Sequence, residues 1–208
     1  MSKILSFSLY VLKNWYKWWV QLLTIIGNIK VFKTPCFVQY NPEEYDYKVR
    51  GYQIRDICKS IKAGDVILRG YDHYLDGWLI PGEFSHAGVY IGNDTIIHAV
   101  SDGVKEIDTI DFMQCDRLMV LRPKSGAKNA IKFVKDAIGE EYDFKFNSSD
   151  SSEFYCFELA AKAYPKLNIT PFTVELFGYK LAFLTEKYTA ESFIANTNFE
   201  IVYKVVNS

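Results

Sequence analysis

Phe84-Ser85-His86-Ala87-Gly88-Val89-Tyr90-Ile91-Gly92, then Asn93-Asp94, then Thr95-Ile96-Ile97-His98-Ala99-Val100, is the stretch that decides the fold. Two runs rich in β-branched and aromatic residues flank a glycine and two turn formers, which predicts an antiparallel hairpin. Strand side chains alternate faces, so His86 shares a face with Gly88 and Tyr90, and His98 with Ile96 and Val100. Residues equidistant from a turn lie opposite each other, which brings the two imidazoles within one or two pairing steps. A histidine oriented by a second polar group is two-thirds of a nucleophile-activating triad.

The nucleophile has four candidates, Cys36, Cys58, Cys115 and Cys156. Cys156 opens a run of good helix formers, Cys156-Phe157-Glu158-Leu159-Ala160-Ala161-Lys162-Ala163-Tyr164, that meets no breaker before Pro165. Ser151, Ser152 and Glu153 ahead of it suit a helix start. A thiol in the first helical turn feels the positive end of the helix dipole, which favours the thiolate. Cys58 falls on the apolar side of a short helical pattern, Tyr52 to Ile61, with Ile54, Ile57 and Ile61, and is expected in the core. Cys156 is therefore the expected nucleophile.

Taken together, Gly64-Asp65-Val66-Ile67-Leu68, Ser85-His86-Ala87-Gly88-Val89-Tyr90-Ile91-Gly92 and Ile97-His98-Ala99 resemble the histidine half of the NlpC-type, papain-like cysteine hydrolases. In the common arrangement the cysteine helix precedes this block. Here Tyr155-Cys156-Phe157-Glu158-Leu159 follows it, as in the circularly permuted branch that includes the lecithin–retinol acyltransferase-like enzymes. Gly139-Glu140-Glu141-Tyr142-Asp143-Phe144 also resembles that branch, whereas Phe157 stands where a serine commonly follows the cysteine. Carried over by position, the resemblance implies Cys156 as nucleophile, His86 as base and His98 as the residue that orients it. It implies an α+β, permuted papain-like fold: a short antiparallel sheet with the cysteine helix packed on it. Tyr142 and Tyr155 are further candidates for oxyanion or substrate contacts, the Tyr142 hydroxyl together with the Cys156 backbone N–H.

The chain has 208 residues, 49% of them apolar and 24% charged, with a net charge of −1. That composition belongs to a folded globular chain and supplies no global field for nucleic acid. Irregular cysteine spacing without a C-x-x-C pair suggests neither a disulfide framework nor a zinc site. His73 with Asp72 and Asp76 reads as a solvated loop rather than a metal site, so no metal and no organic cofactor is expected.

Three segments follow from these signals. Residues 1–33 are expected to be an aromatic amphipathic helix, 34–62 a linker and short helix, and 63–208 the catalytic domain. The first holds Trp15, Trp18 and Trp19, with Lys13, Lys17, Gln21, Thr24 and Asn28 on one narrow polar stripe. Lys13 and Lys17 interrupt the apolar run too early for a spanning helix. Residues 4–32 fit a helix lying in a bilayer interface better than a helix packed on the domain or a partner, which favours a membrane-associated chain over a freely soluble one. Beyond Pro165, Asn168 to Phe183 reads as a long apolar-aromatic loop. The expected function is hydrolysis of amide or ester bonds by a Cys/His/His triad, on peptides of the cell-wall type. A lipid acyl hydrolase or acyltransferase at a membrane is the alternative, and a catalytically silent, membrane-tethered binding module the third reading.

Overall fold

A computed structural model describes residues 15, 17–27, 29–33, 36–40, 47–72, 74, 82–146, 152–171, 175–176, 179–180 and 187–205. The chain divides into two compact units, Met1–Glu44 with His73–Asp76, and Tyr45–Asp72 with Gly77–Ser208.

In the first unit helix α1 takes in 15 and 17–27. Strands β1 (Ile29–Lys33) and β2 (Cys36–Tyr40) then pair antiparallel, with Phe32 opposite Phe37 and Lys33 opposite Cys36. The helix expected as far as 32 thus stops at Gly27. Gly27-Asn28 is a poor helix continuation, and Ile29, Val31 and Phe32 prefer a pleated strand.

The second unit begins earlier than the expected boundary at 63. Helix α2 (Gly51–Ser60) buries Ile57 completely in its core and is part of that core, not a linker. Then come β3 (Val66–Gly70), β4 (His86–Gly92), β5 (Thr95–Val100), β6 (Gly103–Asp108), α3 (Thr109–Met113), β7 (Arg117–Pro123) and α4 (Ala127–Asp136). They are followed by α5 (Cys156–Lys162), a 3-10 turn at Pro165–Leu167, and the short strands β8 (Glu175–Leu176) and β9 (Tyr179–Lys180). Helix α6 (Ala190–Ile194) and β10 (Phe199–Val205) close the described chain. The central sheet has six antiparallel strands in the order β10-β7-β3-β4-β5-β6. Half of the 168–183 loop lies outside the described residues; what is described of it includes the β8–β9 pair.

The β4–β5 hairpin turns at Gly92, Asn93 and Asp94, with φ of 91°, 51° and 54°. Glycine adopts that left-handed backbone freely, and Asn and Asp tolerate it. Period-two alternation then sorts the strands into two faces. Val66, Leu68, Ala87, Val89, Ile97, Ala99, Met119 and Leu121 face the side covered by α4, α5 and α6. Ile67, Tyr90, Ile96, Leu118 and Val120 face the side covered by α2 and α3. Helix α3 was expected only as a connector; Asp108 caps it, its carboxylate accepting the Ile110 N–H at 2.7 Å. The Gly64-Asp65 pair is an anchor. Gly64 takes a φ of 98°, and buried Asp65 receives Arg122 Nε at 3.0 Å, Arg122 Nη2 at 2.7 Å and the Lys62 N–H at 2.8 Å.

Candidate active site

Cys156 is the first residue of α5, which packs across β4 and β5 from the α4 side. Glu158 secures the helix start: its Oε2 accepts the Tyr155 N–H at 3.4 Å, and its Oε1 ion-pairs with Lys162 at 2.8 Å. The buried Cys156 thiol reaches the β4 backbone, 4.0 Å from the Ser85 carbonyl oxygen and within hydrogen-bonding range of the Ala87 N–H. It therefore abuts the two residues that bracket His86.

The histidines come from the opposite face. Pairing of β4 with β5 runs from the turn back to Val89 opposite Ile97, and His86 and His98 sit just beyond that point. Their Nε2 and Nδ1 atoms, respectively, are 2.9 Å apart, with ring planes at 82°. Phe112 of α3 braces both rings, its centroid 5.7 Å from His86 and 5.6 Å from His98. The brace needs a glycine: a Cβ on Gly88 would meet Ile96 Cγ2 at 2.5 Å and the Phe112 ring at 3.0 Å. With His86 Nε2 committed to His98, Nδ1 is the ring nitrogen that this contact does not use.

The electrostatics differ from the expectation of a ready thiolate. Burial dominates and pushes the Cys156 thiol up to about 11, although the N–H groups of Ala87 and Phe157, the Arg69 charge and the Cys156 N–H all pull it down. Burial, then Arg69, then His98 hold His86 well below its ordinary value. Burial, then Arg69 and Lys105, lower His98 to about 3. The resting pair is thiol plus neutral imidazole, because a seven-residue helix cannot offset the loss of water around the sulfur.

Of the other expected site residues, Tyr155 is buried and its hydroxyl accepts the Tyr188 N–H at 2.8 Å, tying α5 to the segment before α6. Half-buried Tyr142 packs its ring 4.8 Å from Phe144. Cys58, expected in the core, is exposed, and Cys115 is buried. His73 and Asp76 lie outside the described residues. Among the described residues, no group of three or more His, Cys, Asp and Glu side chains could hold a metal ion. Sequence reasoning overlooked Arg69 and Phe112. The first carries a signal, a lone charge inside the apolar strand Val66-Ile67-Leu68-Arg69-Gly70; the second was hidden in an apparent connector.

A solved structure with the same fold is that of the metalloprotein YiiX from Escherichia coli O157:H7. It is 16% identical and superposes with a TM-score of 0.57 over 71% of this chain and 99% of that one. No curated protein matches the sequence. A model of the permuted papain-like amidase enzymes YaeF and YiiX matches residues 60–203, more than half of the chain. The cysteine helix following the histidine hairpin is the order that permutation requires, and the chain belongs to the permuted papain-like amidase family of YaeF and YiiX, the C92 family.

Proposed function

We propose that this chain is a cysteine amidase in which Cys156 is the nucleophile, His86 the general base and acid, and His98 the residue that fixes the His86 tautomer. The observation that carries the reading is the 2.9 Å contact from His86 Nε2 to His98 Nδ1, beside a thiol seated on the backbone either side of His86. For Nδ1 of His86 to accept a proton, Nε2 keeps its hydrogen and donates it to His98 Nδ1. His98 then carries its own hydrogen on Nε2, a buried atom without a partner among the described residues.

The reaction follows from that tautomer. The Cys156 proton moves to His86 Nδ1 as sulfur attacks the amide carbonyl carbon. The oxygen that gains charge is held by backbone N–H groups around the sulfur, those of Cys156 and Ala87 being candidates. The tetrahedral intermediate collapses with cleavage of the C–N bond, and His86 gives its proton to the departing amine. Water, deprotonated by the same nitrogen, attacks the thioester carbonyl and releases the carboxylic acid and the free thiol. Peptides of the cell-wall type are the proposed substrates. The test is reaction with thiol-directed peptide and lipid electrophiles, wild type against Cys156→Ala. Selective, Cys156-dependent capture of the peptide probe supports the reading; equal capture by the variant removes it.

A second reading, lipid acyl hydrolysis or acyl transfer at a membrane surface, is favoured by one observation on α1. Trp15 and Trp18 are each 72% exposed, Leu22 46% and Ile25 48%, all along one stripe of the helix. No helix of the described residues is long and apolar enough to cross a membrane. Tryptophans beside an exposed Lys17 suit the headgroup layer. Co-sedimentation with anionic vesicles, lost on Trp15→Ser/Trp18→Ser, would support it, and unchanged sedimentation would not.

A further inference from the structure

We propose that Arg69 is a positioning residue for this site: a cation fixed on β3 directly opposite His86 and over the Phe112 ring, where it acts on the His86–His98 pair as the proton passes to the leaving amine. The inference rests on the Cys156–His86 reading above and deepens it. Arg69 lies on β3 directly opposite His86, so both side chains emerge on the α3 face. Its guanidinium carbon sits 4.3 Å over the Phe112 ring and 5.3 Å over the Tyr71 ring. Nη1 donates to the Phe112 carbonyl oxygen at 3.2 Å, while Nε, a buried atom, has no hydrogen-bond partner among the described residues. Phe112 thus touches both the cation and the two imidazoles.

No carboxylate forms an ion pair with Arg69 among the described residues. Asp72 ion-pairs with Lys48 and with Arg117, each at 2.6 Å, and Asp116 accepts the N–H groups of Lys48 and Asp72. The charged and titratable groups that act on the two rings are Arg69, Lys105 of β6 and, on His86, His98; α3 presents Phe112. Arg69 also acts on Tyr71 and Cys115, as does the Asp116 carboxylate. The half-buried Arg69 guanidinium makes no ion pair among the described residues and stands opposite one member of a proton-transfer pair, a placement that points to chemistry.

The chemical consequence is specific to amides. An amine leaves poorly unless protonated, so a more acidic imidazolium speeds C–N cleavage, whereas p-nitrophenolate leaves without help. Arg69 also attracts the thiolate that forms when His86 takes the proton, so charge separation is not penalised on both partners.

The test compares wild type, Arg69→Gln, Arg69→Lys and His86→Ala on a peptidyl p-nitroanilide and on p-nitrophenyl acetate, each across pH. Arg69→Gln is expected to lower kcat/KM about tenfold more on the anilide than on the ester, and to move the acid limb of the profile up by about one pH unit. Arg69→Lys, which keeps the charge, should restore most of both effects. Equal losses on the two substrates with an unmoved acid limb would overturn the proposal and leave Arg69 as packing alone. If His86→Ala retains full turnover, the triad reading itself fails, a result separate from any Arg69 outcome.

Discussion

Replacing His98 by Gln should remove a defined part of the acid sensitivity of this fold. In the unfolded chain His98 titrates near its ordinary value of 6.5, whereas in the fold burial, with Arg69 and Lys105, lowers it to about 3. The sign follows. Below 6.5 the unfolded state binds a proton that the folded state refuses, so the stabilisation present above 6.5 is lost as pH falls toward 3. At pH 4 the difference spans about 2.5 pH units at roughly 1.4 kcal/mol each, which is about 3 kcal/mol. Glu158 works in the other direction, its carboxyl raised by burial, so wild type and variant must be compared at each pH. Gln keeps an acceptor for His86 Nε2 and does not titrate. Urea unfolding followed by far-UV circular dichroism at pH 7, 5.5 and 4 measures the effect; tryptophan fluorescence would report chiefly on α1, which carries three of the four tryptophans. Wild type should lose about 3 kcal/mol more than His98→Gln between pH 7 and pH 4. Parallel losses in the two proteins would mean that His98 is not held neutral by its surroundings, and the electrostatic account of the pair would fall.

Gly88→Ala should destabilise by about 1–3 kcal/mol, because its Cβ would overlap Ile96 and Phe112, and should cut turnover by moving the brace behind both histidines; urea midpoints and kcat on one sample test both. Asp65→Ala should cost about 1–3 kcal/mol by taking the shared acceptor from Arg122 and the Lys62 N–H, yet leave the pH profile of the remaining activity unchanged. Iodoacetamide at neutral pH should label exposed Cys58 at the same rate in wild type and His86→Ala, while labelling of buried Cys156, whose thiol needs the base, slows about tenfold in the variant. Peptide mapping by mass spectrometry reads the two rates separately.

The strands and helices around the site were legible because their signals are local. Gly92-Asn93-Asp94 sets the hairpin, alternation puts His86 and His98 on one face, and Pro165 limits the cysteine helix. What was not legible depends on partners distant in sequence. The thiolate expected from the helix dipole gives way to burial, which depends on how completely α5 covers the sheet. Cys58 has the spacing of an inward residue, but α2 is rotated so that Ile57 fills the core and the thiol faces out. Ile29, Val31 and Phe32 have apolar character that serves helix or strand equally, and pairing with 36–40 decides for the strand. Phe112 lies in a five-residue helix too short for a periodic pattern, and its contact with both imidazoles depends on the missing side chain of Gly88.

The central claim is that Cys156 carries the acyl group and His86 moves the proton, and intact-protein mass spectrometry tests it most directly. Wild type, Cys156→Ala and His86→Ala, each shown to be folded, are quenched in acid seconds after mixing with p-nitrophenyl acetate. The account predicts a single added acetyl group in the wild type, mapped by proteolysis to the peptide containing Cys156, absent in Cys156→Ala and strongly reduced in His86→Ala. An acetyl group found on Cys58 or elsewhere, or one that forms as fast in His86→Ala as in wild type, would contradict it.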